Sequence, residues 1–301
     1  MEEHLRWDDL KVFLHVARAR SLTAAARVLK MDPATLGRRI TRLEEDMKAR
    51  LFARSPQGYD LTEAGTRLMT HVDEMDAALR HARGEVQDNA DQLSGTVRIG
   101  APDGSANYLL PQVCAQICDE NPGLEVQIVA LSRVLNLSKR EADMAIAVSP
   151  PNAGRLTVQK ISDYRLHLAA TREYLATHPP ITCTNDLKNH RMIGYISDLI
   201  FADELDYLHE VGEMVKPTLA SNSFSVQLNL ARSGAGVCIV HDFAIPTFPE
   251  LQRILMDSVS LTRSFYLVRH ADDRKVERLN RFADLLIPKI RAEVRALEAN
   301  A

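Results

Sequence analysis

The sequence predicts an α/β protein in three parts: an all-α N-terminal module with a hairpin wing, one long helix, and a larger body of alternating strands and helices. Three observations carry this prediction: apolar residues spaced three and four apart between residues 8 and 43, a heptad row from 61 to 86, and strand-helix alternation after residue 95. At 301 residues the chain has room for two or three domains. Hydrophobic residues make up 46% and charged residues 26%, which suits a soluble globular protein and excludes one that is mainly disordered. Aromatics are only 5%, so the core must be mostly aliphatic.

The first helix is read from Leu10, Phe13, Leu14, Val16 and Ala17. Ser21 is the N-cap of a second, short helix whose alanines permit close packing, and Lys30-Met31 makes a tight turn. Asp32-Pro33 is a strong start signal, an N-cap acid followed by proline at the first helical position. With Leu36 at angle zero and about 100° per residue, Ile40 and Leu43 share its stripe. Ala34, Arg38, Thr41 and Arg42 then face the other way with Thr35 beside them, and Arg39 lies at the flank, near phosphate or a neighbouring acid. Small residues at the helix start and arginines on the outer face suit a DNA major groove. Pro and Gly in Ser55–Asp60, between apolar ends, predict the wing, with Arg54 at its base placed for the minor groove or backbone.

Charge supports this reading. The net charge is −3, yet residues 18–54 hold ten basic and four acidic residues, a local +6 on a body of about −9. One basic end on an acidic body points to a polyanion partner for that end only.

From Thr62, itself a cap, to about Gln87 there is no proline. Leu61, Gly65, Leu68, Val72, Met75, Leu79, Ala82 and Val86 step alternately by four and three. Such a helix is about 39 Å long at 1.5 Å per residue. Its narrow seam and charged flanks favour a coiled-coil homodimer over packing on the chain's own body, and two-fold symmetry then implies a roughly palindromic DNA site. The dimerisation residues would be Leu68, Val72, Met75, Leu79 and Val86.

Past a polar hinge at residues 89–95, Thr96–Gly100, Leu124–Leu131 and Met144–Val148 read as strands, with Ala106–Glu120 and Arg133–Ala142 as helices between them. This order predicts a parallel sheet with helices on both faces. Then come Leu156–Thr171, Met192–Ile196, a helix Leu199–Val211, Pro217–Ala220, a helix Phe224–Ser233, strands Val237–His241 and Ser264–Arg269, and a closing helix Val276–Leu297.

Residues 7–66 closely resemble the DNA-binding domain of LysR-type transcriptional regulators. The resemblance rests on Leu10, Phe13, the run Ser21–Ala26, Leu29, Leu36, Arg38, Ile40, Leu43-Glu44, Leu51-Phe52-x-Arg54 and Leu61-Thr62-x-Ala64-Gly65. It implies DNA contacts from Ser21, Thr23, Asp32, Pro33, Ala34, Thr35, Gly37, Arg38, Thr41, Arg42, Arg54 and Gln57. In that family the third helix usually opens Ser-Gln-Pro-Ala-Leu-Ser-Arg; here Pro33 and Gly37 replace the glutamine and the second serine, and Arg38 is retained. Gly37 in a helix interior costs about 1 kcal/mol relative to alanine, and close backbone approach to DNA is one reason for it.

The resemblance continues through Pro122-Gly123-x-Glu125-Val126, Ala142–Ile146, Tyr174-Leu175 and Ser233-Gly234-x-Gly236-Val237. It implies a winged helix-turn-helix at 1–61, a linker helix at 62–90 and an effector-binding domain at 91–301. That domain would have two lobes like a periplasmic binding protein, one near 95–162 and 270–301, the other near 163–269. A ligand in such a fold lies beyond strand ends, at helix N-termini. The candidate residues are Pro102, Asp103, Ser105, Ser132, Ser149, Asn222 and Ser223, with Phe201, Phe224 and His241 as apolar or switchable walls. Serine hydroxyls and free N–H groups favour a small anion, which Asp103 would repel unless a cation intervened; solvated loops and helix caps are the competing reading.

Other classes find little support. Ser233-Gly234-Ala235-Gly236 lacks the third glycine of a dinucleotide loop and runs helix to strand, the reverse of the required order. There is no Gly-x-Ser-x-Gly elbow, P-loop or His-Glu-x-x-His. The four cysteines form no Cys-x-x-Cys pair; Cys114 and Cys118 share a helix face and read as buried thiols or a redox pair. No cofactor or metal is expected. The expected partners are double-stranded DNA, a small effector, a second copy in a dimer or tetramer, and RNA polymerase, in the cytoplasm and without a membrane. The alternatives are an architectural DNA binder and an enzyme fused to a helix-turn-helix.

Overall fold

The structure, a computed structural model, describes residues 6–55, 58–87, 93–131, 142–151, 154–212 and 215–301. It divides into two compact units, Met1–Arg83 and Gly84–Ala301.

The first unit contains α1 (Trp7–Ala19), α2 (Leu22–Leu29), α3 (Pro33–Asp46), a hairpin of β1 (Phe52–Ser55) and β2 (Gly58–Leu61), and the start of α4 (Glu63–Gln87). The caps are those the sequence predicts. Ser21 Oγ accepts the Ala24 N–H, and the Asp32 carboxylate accepts the Thr35 N–H with Pro33 in the first turn of α3. Arg20 and Lys30 take left-handed backbone at the ends of α1 and α2, which makes both turns tight. Leu36, Ile40 and Leu43 meet Leu10, Phe13 and Val16 in one core with Leu51, Phe52 and Val72. Burial of this aliphatic stripe, not propensity, supplies most of the stability of such short helices.

The side chain of Glu44 fastens α3 to the wing. It is 5% exposed, and its carboxylate accepts the N–H groups of Leu51 and Phe52 at 2.8 and 3.2 Å and Arg50 Nη1 at 2.9 Å. Burial alone would raise its pKa; the two backbone donors and Arg50 outweigh it and hold the carboxyl below the usual glutamate range. Thr62 caps α4 by accepting the Gly65 N–H and donating to the Arg50 carbonyl. Gly65 itself is required by contact: a Cβ there would lie 2.1 Å from the Leu51 carbonyl oxygen.

The second unit is built on a nine-stranded sheet among the described residues. Its strands are β3 (Gly95–Pro102), β4 (Leu124–Leu131), β5 (Met144–Ala147), β6 (Leu156–Thr171), β7 (Met192–Gly194), β8 (Leu219–Ala220), β9 (Val237–His241), β10 (Leu251–Ile254) and β11 (Leu261–His270). The order is β4-β3-β5-β11-β6-β9-β7-β8, with β10 also on β6. The helices are α5 (Asp103–Tyr108), α6 (Leu110–Glu120), α7 (Arg172–Thr177), α8 (Tyr207–Val211), α9 (Phe224–Arg232) and α10 (Glu277–Ala299).

The sheet as a whole is mixed, and two helix expectations need correction. The parallel sheet expected of the first three strands is found, with β3 parallel to β4 and β5; β7 is also parallel to β8 and β9, whereas β11 is antiparallel to β5 and β6, and β6 to β9. Two long strands that leave one lobe and return to it must run in opposite directions. The ladder of β6 and β11 slips between Phe265 and Tyr266, and Tyr266–Arg269 still pair with β5. The expected helix Ala106–Glu120 is two helices that break at Leu109, because Pro111 has no N–H to continue the ladder and sits instead in the first turn of α6. The expected helix Leu199–Val211 is two 3₁₀ turns and the short α8. Its buried residues, Leu205, Tyr207, Leu208 and Val211, all lie in the second half, and Leu199 is 49% exposed, so the first half has no buried residue to hold a helix. The helix expected over Arg133–Ala142 and the hinge near Asn89 lie largely outside the described residues.

Candidate functional site

On the first unit, Pro33, Ala34, Gly37, Arg38, Thr41 and Arg42 line one open concavity of about 430 Å³ with Leu22, Glu45 and Tyr59. Six residues expected at the DNA are thus brought to one surface. Arg38 is exposed on it; its Nη2 donates to Thr35 Oγ1 at 3.1 Å, which aligns the side chain along the first turns of α3. Tyr59 was not read from the sequence. The signal was an aromatic beside the wing's glycine, and its N–H donates to the Arg20 carbonyl, so the wing is tied to the end of α1.

Three expected DNA contacts have internal work. Arg42 makes three hydrogen bonds of 2.6–2.8 Å to Asp9, whose side chain is 1% exposed. Arg39, expected near phosphate or an acid, lies 3.8 Å from the same carboxylate. Ser21 and Asp32 are helix caps. Thr23 is exposed. Gln57 and the side chain of Arg54 lie outside the described residues.

The seam of α4 divides. Val72 is 0% exposed in the unit's own core, with Leu68 half-buried beside it, so Val72 has no surface to offer a second helix. Met75 and Leu79 are each 45% exposed. The side chain of Val86 lies outside the described residues.

In the second unit, Pro102, Asp103, Ser105, Phe201, Asn222 and His241 line one cleft between β3–α5 and the α8–α9 region. The sequence did not single out Gly104, Tyr164, Tyr195, Leu205, Tyr207 and Phe265, which line it too. Ser149 is not among the lining residues, and Ser132 lies outside the described residues. The cleft is nearly closed, with about 20 Å³ of free volume, room for about one water. His241 fills much of it, stacked on Phe224 at 4.0 Å and on Phe243 at 4.9 Å. Burial pushes its pKa down to about 3, so the imidazole is neutral at neutral pH.

The serines are not free either. Ser105 Oγ donates to the Pro102 carbonyl, and Ser223 Oγ donates to Asp103 Oδ2 at 2.8 Å. The Ser225 N–H donates to the same oxygen at 2.7 Å. Asp103 therefore does not stand off an anion from a distance; its carboxylate is the anion at the start of α9. A larger cavity of about 420 Å³ lies in the second lobe, lined by Ile193, Leu208, Val215, Lys216 and Gln227 among others; Tyr195, Leu205 and Tyr207 line both.

The four cysteines are free thiols. Burial raises Cys114 to about 12, and burial followed by Asp119 raises Cys118. Ser233–Gly236 is a helix-to-strand turn, and a Cβ at Gly236 would lie 2.2 Å from the Arg191 carbonyl oxygen, so that glycine serves packing. No group of three metal-ligating residues occurs among the described residues.

A basic helix-turn-helix with a wing, on one chain with a two-lobed α/β unit, defines the class of ligand-responsive DNA-binding regulators. The family model for a bacterial regulatory helix-turn-helix protein of the lysR family matches residues 7–66, and that for the LysR substrate binding domain matches residues 90–291. The chain belongs to the LysR family of transcriptional regulators. It is 28% identical over 245 residues to the HTH-type transcriptional regulator PtxR of Pseudomonas aeruginosa, covering 80% of this chain and 78% of that one. It is 24% identical over 289 residues to the regulator CrgA of Neisseria meningitidis serogroup B, covering 94% and 96%. Among solved structures, the full-length Vibrio cholerae virulence activator AphB superposes with a TM-score of 0.62 at 23% identity, covering 94% of this chain and 99% of that one.

Proposed function

We propose that the chain reads a pseudo-palindromic DNA site as a homodimer or a homotetramer, with α3 in the major groove, and that a small polar effector between the two lobes governs that binding. The observation that carries the DNA reading is the open surface of α3, where Pro33, Ala34 and Gly37 leave the backbone low and Arg38 stands clear. Arginine beside small residues can bond guanine O6 and N7, worth about 1–3 kcal/mol of discrimination. The exposed Met75 and Leu79 on α4 support a helix-to-helix dimer contact. The helix starts at Asp103 and Phe224, gathered with Ser105, Asn222 and Ser223, support the effector seat. RNA polymerase is the further partner of such a regulator, and the cytoplasm is where its DNA lies. No described helix is long and apolar enough to cross a membrane.

Footprinting on the DNA upstream of the protein's own gene, with and without candidate small molecules, tests this reading. Two protected half-sites that shift or fade with a ligand are expected. Arg38→Ala should weaken binding and relax base preference at one position per half-site. Wild-type affinity and selectivity in that variant would remove α3 from the groove.

A further inference from the structure

We infer that Asp103 is a carboxylate ligand built into this chain, which occupies the N-terminus of α9 and latches the two lobes together with no effector bound. The inference rests on the cleft being the effector site and adds the chemistry of its seat. That seat takes a carboxylate, so an effector carboxylate enters only by displacing Asp103.

The geometry is that of a bound anion. Asp103 begins α5, at the end of β3, and reaches residues 120 and 122 positions later in the chain. Its Oδ2 accepts the Ser225 N–H at 2.7 Å and the Ser223 hydroxyl at 2.8 Å. Its Oδ1 accepts Asn107 Nδ2 at 2.9 Å, so both oxygens are engaged. Ser223 Oγ in turn accepts the Val226 N–H, completing the first turn of α9. Backbone N–H groups and the aligned dipoles of α9, a nine-residue helix, favour negative charge at this point.

Two further polar atoms show that more than a helix cap is built here. His241 Nδ1 and Ser225 Oγ are buried without a partner among the described residues. His241 is 5% exposed, and its ring meets the backbone of α5 so closely that a Cβ on Gly104 would lie 2.8 Å from Nδ1. Buried polar atoms are normally satisfied, so the unpartnered His241 nitrogen, on a ring that lines the cleft with Asp103, marks a seat with capacity for a further polar ligand. Asp103 fills its anionic part and closes the rest to the volume of about one water.

A carboxylate-shaped vacancy tests this. In the full chain, Asp103→Ala should melt below wild type, and about 100 mM sodium acetate should restore at least half of the loss where sodium chloride at equal ionic strength restores none. Wild type should show no acetate-specific gain, since its seat is taken. Asp103→Asn, which keeps the shape and loses the charge, should melt below wild type and not respond to acetate. Acetate acting no better than chloride on Asp103→Ala, acetate raising wild type equally, or Asp103→Asn melting as wild type would each overturn the latch. Should Asp103→Ala not fold, the Asp103→Asn comparison still decides. Melting needs neither operator nor effector, so failure of the latch leaves the regulator reading to the footprint.

Discussion

The guanidinium of Arg42 closes on the carboxylate of Asp9, with Nε 2.8 Å from Oδ2 and Nη2 2.7 Å from Oδ1. Helical angle alone places Arg42 on the outer face of α3, opposite Leu36. Its long side chain folds back along the helix to reach a buried acid on α1. The pair joins α1 to α3 and leaves Arg38 as the open arginine of the pair that the angle singles out.

Arg42→Ala should therefore destabilise the first unit by about 2 kcal/mol, because it strips a buried carboxylate of its main partner. Trp7, the chain's single tryptophan, packs against that core and reports its unfolding in urea. Unchanged stability with lost operator binding would return Arg42 to the DNA face.

Gly37 has no internal reason to be glycine. A Cβ there would meet only Leu22 Cδ1, at an ordinary 3.7 Å. Gly37→Ala should stabilise α3 by about 1 kcal/mol and weaken operator binding, since the added methyl stands between helix backbone and DNA. A gain in both stability and affinity would show that the DNA does not approach this backbone.

Glu44 makes the first unit sensitive to acid. Its folded pKa is depressed, so its contribution is present above the ordinary glutamate range and is lost as pH falls through the lower, folded value. Glu44→Gln should be less stable than wild type at pH 7, and the gap should narrow as pH falls below the ordinary glutamate range. A gap constant with pH in urea titrations would mean that the carboxylate's charge is irrelevant there.

On α4, Met75→Lys with Leu79→Lys should abolish the dimer by light scattering and leave the Trp7 unfolding signal unchanged. Val72→Ala should do the reverse, costing about 2 kcal/mol in that signal with dimerisation intact. A dimer that survives the lysine pair would place the self-association elsewhere.

Thiol chemistry should be confined to one cysteine. Burial raises Cys114 and Cys238 to about 12, and Cys118 is also raised, whereas Cys183 is exposed. Ellman's reagent at neutral pH should find one fast thiol per chain, absent in Cys183→Ser. Rapid oxidation to a Cys114–Cys118 disulfide would contradict this.

The sequence by itself determined the elements whose signals are local. Asp32-Pro33 starts α3, Ser21 caps α2, and Thr62 with an unbroken heptad row defines α4, because caps and helical periodicity act within about four residues. It also placed six residues of the α3 surface and six of the cleft, the first by helical angle and the second by the rule that sites gather at strand ends. Tertiary structure alone decided which of these side chains were already taken. Val72 satisfies the heptad pattern and is consumed by its own core; Leu199–Val211 is apolar enough for a helix, but only its second half is buried and only that half is helical. The hydrogen bonds of Asp103 to Ser223 and Ser225 join residues more than a hundred positions apart, and no local spacing encodes them. They exist because β3 and β6–β11 bring a strand end of one lobe against a helix start of the other, where a carboxylate and unpaired N–H groups lower each other's energy.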